Sequence, residues 1–395
     1  MKVAIIHNSY RQPGGEDVVV AEETRLLEDH GHKVVSYRRS NHELDGMSKG
    51  QLLIHVKDVV YSGDSKGEIK NLIRNERPDM VHVHNTFLMI SPSVYEACKD
   101  EGVPVVQTLH NFRLLCPGGT FYRSGVVCEE CIGGKFWNGI CHGCYRNSRS
   151  MTSVVALMLK FHQLRGTWSN SVDKYVALSE FARSKFVLGG LPPDKVQVKP
   201  NFIGIDPGAK TQPGEFALYV GRLVPEKSVE VLLAAWKKLS KAPPLMIIGD
   251  GPSKDGLQSQ IETEHIPNVQ LMAWKPRELV LDAIKKAAVL ILPSTWYEGF
   301  PMTIVEAFAC GTPVICSRLG AMQEIVVDEC TGLHFTPGDA RDLAEKVDSL
   351  FGDSKRLSAM SRAARSKFEE LYTAEKNYSQ LMSIYEQTIS ASSRN

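Results

Sequence analysis

The sequence has neither a long apolar run nor an excess of charge of one sign. None of its apolar stretches is long enough to cross a bilayer, which argues against a membrane-spanning helix. Its 46 lysines and arginines nearly equal its 45 aspartates and glutamates, so the basic footprint of a nucleic-acid-binding protein is missing. No signal peptide precedes the strand-like residues 3–6, and we therefore expect a cytoplasmic protein.

Two ligand-binding fingerprints are also missing. The turn Pro13-Gly14-Gly15 follows the first strand, but it is not the G-x-G-x-x-G of NAD-binding folds. No Asp-x-Asp pair is placed to hold Mg2+ against a diphosphate, since Gly249-Asp250-Gly251 carries a single carboxylate. We therefore expect no catalytic metal. A diphosphate would instead be held by cationic side chains and helix N-termini.

Short apolar strands alternate with helical patterns twice along the 395 residues, which is too long a chain for one ordinary core. This alternation predicts an α/β fold with two doubly wound, Rossmann-like halves. We assign residues 1–200 to the first domain and 201–373 to the second. A last helical pattern covers about 374–389.

One strand-loop-helix unit of the second half carries two carboxylates. The apolar run 287–292 predicts a buried strand, and a helical pattern opens at Thr303. Glu298 then lies in the loop and Glu306 in the first helical turn, where backbone N–H groups and a carboxylate suit a phosphate and a ribose. The alternative is structural, because Thr303-x-x-Glu306 is also a capping box.

Other polar residues follow predicted strands. Arg222 and Lys227 lie in the loop after strand 216–220, where they would be a cationic clamp for phosphates or two solvated surface charges. His84 and His110 end two strands of the first half, at the sheet edge where such folds bind ligands. For His84 we favour a hydrogen-bonded structural role.

The alternation of strand and helix patterns is interrupted at residues 111–150, and five of the nine cysteines lie in this segment. In a reducing compartment, clustered cysteines indicate a metal site more than disulfides. Spacing alone selects the two C-x2-C knuckles, Cys128 with Cys131 and Cys141 with Cys144, as a tetrahedral zinc site. Free thiols or two disulfides are the alternatives.

The stretch Glu-Gly-Phe-Pro-x-x-x-Val-Glu-Ala at 298–307, followed by Gly-Thr-Pro-Val-Ile, resembles the E-x7-E signature of the family 4 glycosyltransferases. The similarity extends over nearly the whole chain. Gly-Arg-Leu-x-x-Glu-Lys at 221–227 resembles the phosphate-binding pair of that family, and Pro200 to Asp206 resembles its hinge. The resemblance implies the GT-B fold, in which two Rossmann-like domains face a central cleft. It also implies that the last helix crosses back, so that 374–395 joins the first domain.

The resemblance also implies roles for individual residues. Arg222 and Lys227 would hold the diphosphate, Glu306 the ribose, and Glu298 a hydroxyl of the donor sugar. His110 would face the donor sugar, although many relatives follow it with Asp where this chain has Asn111. The implied catalytic residues are His110, Arg222, Lys227 and Glu298. The implied donor-binding residues are Gly14, Gly15, Gly221, Arg222, Lys227, Glu298, Gly299, Phe300, Pro301, Met302, Thr303 and Glu306.

The runs Leu115-Cys116-Pro117, Cys128-Glu129-x-Cys131 and Gly143-Cys144-Tyr145-Arg146 resemble a subgroup of these transferases with a cysteine-rich insertion. This resemblance implies a zinc ligand set different from the one that spacing selects. That set is Cys116, Cys128, Cys131 and Cys144, with Cys141 or His142 as a substitute ligand. One structural Zn2+ is therefore expected in the first domain.

The implied activity is retaining, metal-independent transfer of a sugar from a UDP- or GDP-sugar to a hydroxyl acceptor. The acceptor would be a lipid-linked sugar or a glycan, with peripheral membrane contact left open and no nucleic-acid partner. The competing hypotheses are a sugar-nucleotide epimerase or a phosphorylase-like enzyme on the same scaffold, and a non-catalytic interaction protein built on a zinc module.

Overall fold

The computed structural model describes residues 1–11 and 14–392. The predicted turn residue Pro13 and the last predicted positions, 393–395, lie outside this part of the chain. Internal contacts divide the chain into two compact units. Unit 1 comprises Met1–Phe121, Cys128–Gly204 and Ala374–Asn395, and unit 2 comprises Tyr122–Val127 and Ile205–Thr373. The sequence predicted the first limit at residue 200 and the return at residue 374.

Unit 1 is built on a parallel sheet of six strands in the order β2-β1-β3-β4-β7-β8. The strands before residue 204 are β1 (Lys2–Ser9), β2 (Lys33–Ser40), β3 (Met80–Asn85), β4 (Val105–Leu109), β5 (Tyr122–Arg123), β6 (Val126–Val127), β7 (Lys174–Ala177) and β8 (Val196–Val198). Strands β5 and β6 form a separate antiparallel hairpin. The helices are α1 (Gly15–Asp29), α2 (Lys49–Val60), α3 (Gly63–Glu76), α4 (Ser93–Asp100), α5 (Trp137–His142), α6 (Arg149–Leu164), α7 (Thr167–Asn170) and α8 (Glu180–Leu188).

Unit 2 repeats this arrangement with a parallel sheet in the order β11-β10-β9-β12-β13-β14. Its strands are β9 (Phe216–Val220), β10 (Leu245–Ile248), β11 (Val269–Met272), β12 (Ala287–Leu292), β13 (Val314–Ser317) and β14 (Gly332–Phe335). Its helices are α9 (Val229–Trp236), α10 (Lys254–Thr263), α11 (Arg277–Lys286), α12 (Met302–Ala309), α13 (Gly320–Ile325), α14 (Ala340–Phe351) and α15 (Ser354–Leu371). The two parallel-sheet α/β units are those of the predicted fold.

The C-terminal helix α16 (Ala374–Ser392) belongs to unit 1. Its Leu381, Ile384 and Tyr385 are buried against Val3 and Ile5 of β1 and their neighbours on the same sheet face. Strands of parallel sheets are covered on both faces, which explains why β1 and β12 read as continuous apolar runs.

Helix α6 corrects one sequence expectation. From the helical spacing of apolar residues at 154–168, the sequence predicts one face that packs on the sheet, made of Val154, Leu157, Met158, Phe161 and Leu164. Leu157 and Leu164 are instead 57% and 76% exposed. Val155 and Leu159 are buried instead, in a cluster that includes Phe87. The helix is apolar on more than one side, so its periodicity alone did not identify the packed face.

Strand order decides where each unit presents a ligand site. The order in which successive strands are added to the parallel sheet reverses between β9 and β12 in unit 2, and between β1 and β3 in unit 1. Such switch points open a crevice beyond the carboxyl ends of the flanking strands. No helix in the described part of the chain has the length and apolar character that a membrane span requires.

Candidate functional site

The loop after β9 carries the two predicted cations. Leu223 anchors this loop in the core of unit 2, whereas Arg222 is exposed at its turn. A short 3-10 turn, Pro225–Lys227, then leads into α9, and Ser228 between them has a φ of 51°. The loop therefore directs both cationic side chains to the carboxyl edge of the sheet.

Two glycines let the next loop pack against this one. A Cβ at Gly249 would lie 2.0 Å from the carbonyl oxygen of Gly221, and a Cβ at Gly251 would lie 2.4 Å from that of Leu223. Gly251 also has a φ of +150°. The Leu223 N–H donates to the Asp250 carbonyl at 2.8 Å, which fixes the two loops together. Gly249-Asp250-Gly251 thus supports the cationic loop.

The structure joins Lys227 to Glu298. The Lys227 ammonium lies 2.6 Å from Glu298 Oε1, and the same oxygen accepts hydrogen bonds from Ser294 Oγ at 2.6 Å and from Trp296 Nε1 at 2.9 Å. Ser228 and Thr295 add a hydroxyl contact of 2.7 Å between the two loops. The loops after β9 and β12, which are adjacent strands, therefore form one polar cluster.

Glu298 is ionised within this cluster. Its side chain is nearly buried, and burial alone would raise the pKa of its carboxyl. The charge and hydrogen bond of Lys227, with the donors on Ser294 and Trp296, outweigh burial and hold that pKa below its ordinary value. Glu298 is therefore a fixed hydrogen-bond acceptor.

Glu306 lies one turn into α12, and the structure removes the capping-box explanation for it. Helix α12 begins at Met302 with Pro301 as its N-cap, so Thr303 is already inside the helix. The Glu306 carboxylate instead lies 3.3 Å from Arg277 Nε of α11. Burial raises the pKa of Glu306, and the charge of Arg277 offsets part of that rise.

The intervening predicted residues form the loop and first turn between the two carboxylates. Gly299, Phe300, Met302 and Thr303 are half-buried there, and the Pro301 side chain supplies no cap. The Phe300 ring lies edge-on to Tyr372, with centroids 6.2 Å apart. Backbone N–H groups at the start of α12 are thus oriented as a helix N-terminus orients them toward anions.

In unit 1, Gly14 and Gly15 open α1 at the end of β1. The Gly14 N–H donates to Asp17 Oδ2 at 2.8 Å, and Asp17 Oδ1 lies 2.9 Å from His7 Nε2. Burial opposes ionisation of Asp17, but these hydrogen bonds lower the pKa of its carboxyl. Gly14 and Gly15 themselves are exposed.

Glu16 is a site candidate that the sequence analysis did not single out. Asn85 Nδ2 donates to its Oε1 at 3.0 Å, and Asn111 Nδ2 to its Oε2 at 3.5 Å. Burial and the adjacent Asp17 raise the pKa of Glu16 to about 8. An aspartate at position 111 would face this carboxyl with a second negative charge, which explains why an amide fits here. The sequence signal that could have identified Glu16 as a site residue is its position, as a charged residue directly after two glycines.

His110 and His84 are in contact at the ends of β4 and β3. His110 Nε2 lies 2.9 Å from His84 Nδ1. Burial, with other cationic groups of the cluster, lowers the pKa of His110 to about 3 and that of His84 well below its ordinary value. Both imidazoles are therefore neutral near pH 7, and His84 is part of the His110 environment.

The cysteines of residues 111–150 separate into a group of four and an outlier. Burial first, and then the charges of Cys116, Cys144 and Cys128, raise the pKa of the Cys131 thiol to about 12, whereas Cys141 is exposed. The group of four is the one implied by family resemblance and not by spacing. In the described residues, however, no three cysteine sulfurs lie within 4.8 Å of one another.

Comparison with known proteins identifies the two halves separately. Residues 13–206 match the profile described as Glycosyltransferase Family 4, and residues 206–367 match Glycosyl transferases group 1. The glycogen synthase of Mycobacterium tuberculosis is 28% identical over 299 residues, which cover 74% of this chain and 65% of that protein. The sulfoquinovosyl transferase of Arabidopsis thaliana is 25% identical over 303 residues, covering 74% and 54%. The chain thus spans about half to two thirds of these relatives.

Solved structures agree on the fold. The sucrose-phosphate synthase of Thermosynechococcus elongatus superposes with a TM-score of 0.73 at 17% identity, covering 99% of both chains. Anabaena HepE in complex with UDP-glucose superposes with a TM-score of 0.66 at 16% identity, covering 99% of this chain and 100% of that one. Two glycosyltransferase profiles that together extend over residues 13–367, with this fold, support a family 4 glycosyltransferase of the GT-B fold.

Proposed function

We propose that the protein transfers a sugar, with retention of configuration and without a catalytic metal, from a nucleotide-sugar to a hydroxyl acceptor. The observation that carries this proposal is the polar cluster of unit 2. Lys227 and the buried, ionised Glu298 meet there at the ends of the adjacent strands β9 and β12, Arg222 lies in the same loop as Lys227, and the loop of Glu298 leads into the start of α12. These groups are the ones that a diphosphate leaving group and a sugar hydroxyl require.

Arg222 and Lys227 would stabilise the charge that develops on the departing diphosphate. Arg222 is exposed and able to fork two phosphate oxygens, and Lys227 is a point charge held by Glu298. Glu298 would accept a hydrogen bond from the donor sugar and Glu306 from the ribose. As the acceptor oxygen bonds to the anomeric carbon, the bond to the phosphate breaks. The departing phosphate takes the acceptor proton, so no side chain need be a strong base.

A uridine diphosphate sugar is the first donor to test. The Anabaena protein with this fold was crystallised with UDP and with UDP-glucose. A GDP-sugar is the alternative donor. The acceptor would be a hydroxyl of a glycan or of a lipid-linked sugar. The exposed Leu157 and Leu164 of α6 are consistent with peripheral contact with a membrane surface.

The cysteine-rich segment would hold one structural zinc ion through Cys116, Cys128, Cys131 and Cys144. The donor chemistry fits, because four thiolates suit Zn2+ and Cys116, Cys128 and Cys144 are close enough to Cys131 to contribute to its raised pKa. Their sulfurs would need to draw closer to bind one ion. Bound zinc would fix a loop-rich segment that contains little apolar surface.

The test is release of UDP from UDP-glucose in the presence of a hydroxyl acceptor. Arg222→Ala should lower turnover on the order of 100-fold, since it removes a charge that contacts the leaving group. Arg341→Ala is the matched control, because Arg341 is an exposed arginine on α14, and it should be silent. Turnover should persist in EDTA. Near-normal turnover in a folded Arg222→Ala protein would refute the clamp. Donor consumption that yields an isomerised sugar nucleotide, and no acceptor product, would favour the epimerase.

A further inference from the structure

A row of buried polar side chains lies behind His110 in unit 1. It begins with His84 on β3 and continues to Glu23 on α1 and Lys199, which follows β8. Glu23 is fully buried, Lys199 is 1% exposed and His84 is 3% exposed. Burying this many ionisable groups lowers the stability of the fold unless they pair with one another or bind a ligand.

The distances define an order along the row. His110 Nε2 lies 2.9 Å from His84 Nδ1, and His84 Nε2 lies 3.9 Å from Glu23 Oε2. The other Glu23 oxygen lies 3.5 Å from the Lys199 ammonium, which also donates to Asn377 Oδ1 at 3.3 Å. His110, the only partly exposed member, is therefore connected to an ion pair in the interior.

A divalent cation is a poor occupant of this row. Glu23, His82 and His84 are the one set of three metal-binding side chains whose ligand atoms lie within 4.8 Å of one another in the described residues. Lys199 already supplies a positive charge to Glu23. Both nitrogens of His82 are also engaged, with Tyr385 at 2.7 Å and with Thr108 at 2.8 Å.

The row decides which nitrogen of each imidazole carries the proton. A lone pair on His84 Nε2 would face the Glu23 carboxylate unfavourably, whereas an N–H there is attracted to it. His84 Nδ1 then carries a lone pair and accepts from His110 Nε2–H at 2.9 Å. In a neutral imidazole the remaining nitrogen has no proton. His110 Nδ1 is left as a hydrogen-bond acceptor.

We infer that Glu23 and His84 fix His110 as the Nε2–H tautomer, so that His110 Nδ1 accepts a hydrogen bond from a sugar hydroxyl. His84 is on this inference a positioning residue, and the hydroxyl as ligand rests on the proposed function. A phosphate oxygen has no proton to offer this lone pair. His110 therefore discriminates in favour of the sugar part of a donor.

The tautomer is measurable without any ligand. The protein has 12 histidines, and in a 15N-labelled sample their signals are assigned by substituting them one at a time. Long-range 1H–15N NMR then shows which of the two ring nitrogens of each histidine carries the proton. The expected result is a proton on Nε2 of His110 and on Nε2 of His84. A proton on Nδ1 of His110 would overturn the inference. So would joint shifts of His82 and His84 on addition of Zn2+ or Mn2+, because these would reveal a metal site.

Variants separate positioning from packing. His84→Leu should leave His110 as a mixture of tautomers, and His84→Asn, whose amide oxygen offers an acceptor near the place of Nδ1, should restore Nε2–H. His162→Leu is the matched control, because His162 is also fully buried in unit 1 and hydrogen-bonded at both nitrogens. This control should lower stability and leave the His110 tautomer unchanged. An unchanged His110 spectrum in folded His84→Leu protein would refute the positioning role.

With UDP-glucose as the probe, His84→Leu should weaken use of the sugar nucleotide in proportion to the fraction of His110 that leaves the Nε2–H tautomer. The limit is about tenfold, the size of one lost hydrogen bond. Its affinity for free UDP should be unchanged. Equal loss for both ligands would contradict a contact with the sugar. If the parent protein has no activity with any donor, the proposed function is refuted. The NMR measurement tests the His110 tautomer independently of that outcome.

Discussion

Lys227→Ala is the change that tests the core of the unit 2 site most directly. It removes an ammonium 2.6 Å from Glu298, whose side chain is 7% exposed. Only the donors on Ser294 and Trp296, at 2.6 and 2.9 Å, remain on that oxygen. The variant therefore loses an inferred phosphate contact and also leaves a buried charge without its counter-ion.

The expected loss of stability follows from this geometry. Removing one partner of a buried ion pair costs about 3–5 kcal/mol, and the two remaining hydrogen bonds place Glu298 near the lower figure. For a domain of the size of unit 2, a loss of ~3 kcal/mol lowers the Tm by about 6–12 °C. Arg222→Ala should leave the Tm within ~2 °C, because Arg222 is exposed.

The loss should depend on pH with a defined sign. The folded protein holds the pKa of Glu298 below its ordinary value, so the pair stabilises the fold fully above the unfolded pKa of about 4.3. This stabilisation disappears as the pH falls through the folded pKa. Without Lys227, burial dominates and raises that pKa, so the variant folds with Glu298 protonated at mildly acid pH. The difference in Tm between parent and variant should therefore shrink from pH 7 to about pH 4.

Scanning calorimetry at both pH values measures this difference. Lys227→Met combined with Glu298→Gln is the informative control, because it removes both charges and keeps most of the volume. Its Tm should recover most of the loss at pH 7. A Lys227→Ala protein as stable as the parent, or a difference in Tm that is independent of pH, would refute the reasoning.

Three further predictions concern other residues. Glu16→Gln should gain stability relative to the parent as the pH rises from about 5 to 8, by about 1 kcal/mol per pH unit. The reason is that the folded parent holds a carboxyl whose pKa is raised to about 8, so the parent loses stability over this range. Unfolding titrations at several pH values measure the difference. Glu306→Ala should weaken UDP binding about tenfold by calorimetry, and unchanged affinity would exclude the ribose contact. Elemental analysis should find about one zinc per chain, lost in Cys128→Ser and kept in Cys141→Ser; loss from both variants would favour the spacing-derived set.

The strands were predictable because they are buried on both faces. A run such as β12, with all of its side chains in the core, is apolar without interruption and bounded by polar turns. The helix α16 was predicted from residue 374 because its apolar positions recur with helical spacing. Signals of this kind depend only on residues close together in sequence.

Contacts between distant segments were not predictable in this way. Lys227 and Glu298 are 71 positions apart, and nothing in either motif indicates that they form a pair. Arg277, the partner of Glu306, lies on another helix. The start of α12 was placed late for a local reason, since Pro301 takes the N-cap position although it offers no capping side chain. Residues 40–65 are weakly patterned, and the sequence predicts only helix fragments and loop there, whereas the structure has α2 and the start of α3.

The helix α16 has a consequence for the synthesis of the chain. It delivers Asn377 to Lys199 and Tyr385 to His82, and it covers one face of the unit 1 sheet. Unit 1 is therefore first to leave the ribosome and last to be complete, while residues 205–373 of unit 2 are already available to fold. A nascent chain that stops before Ala374 would lack Asn377 and Tyr385, the partners of Lys199 and His82, and this face of the sheet would be exposed to water.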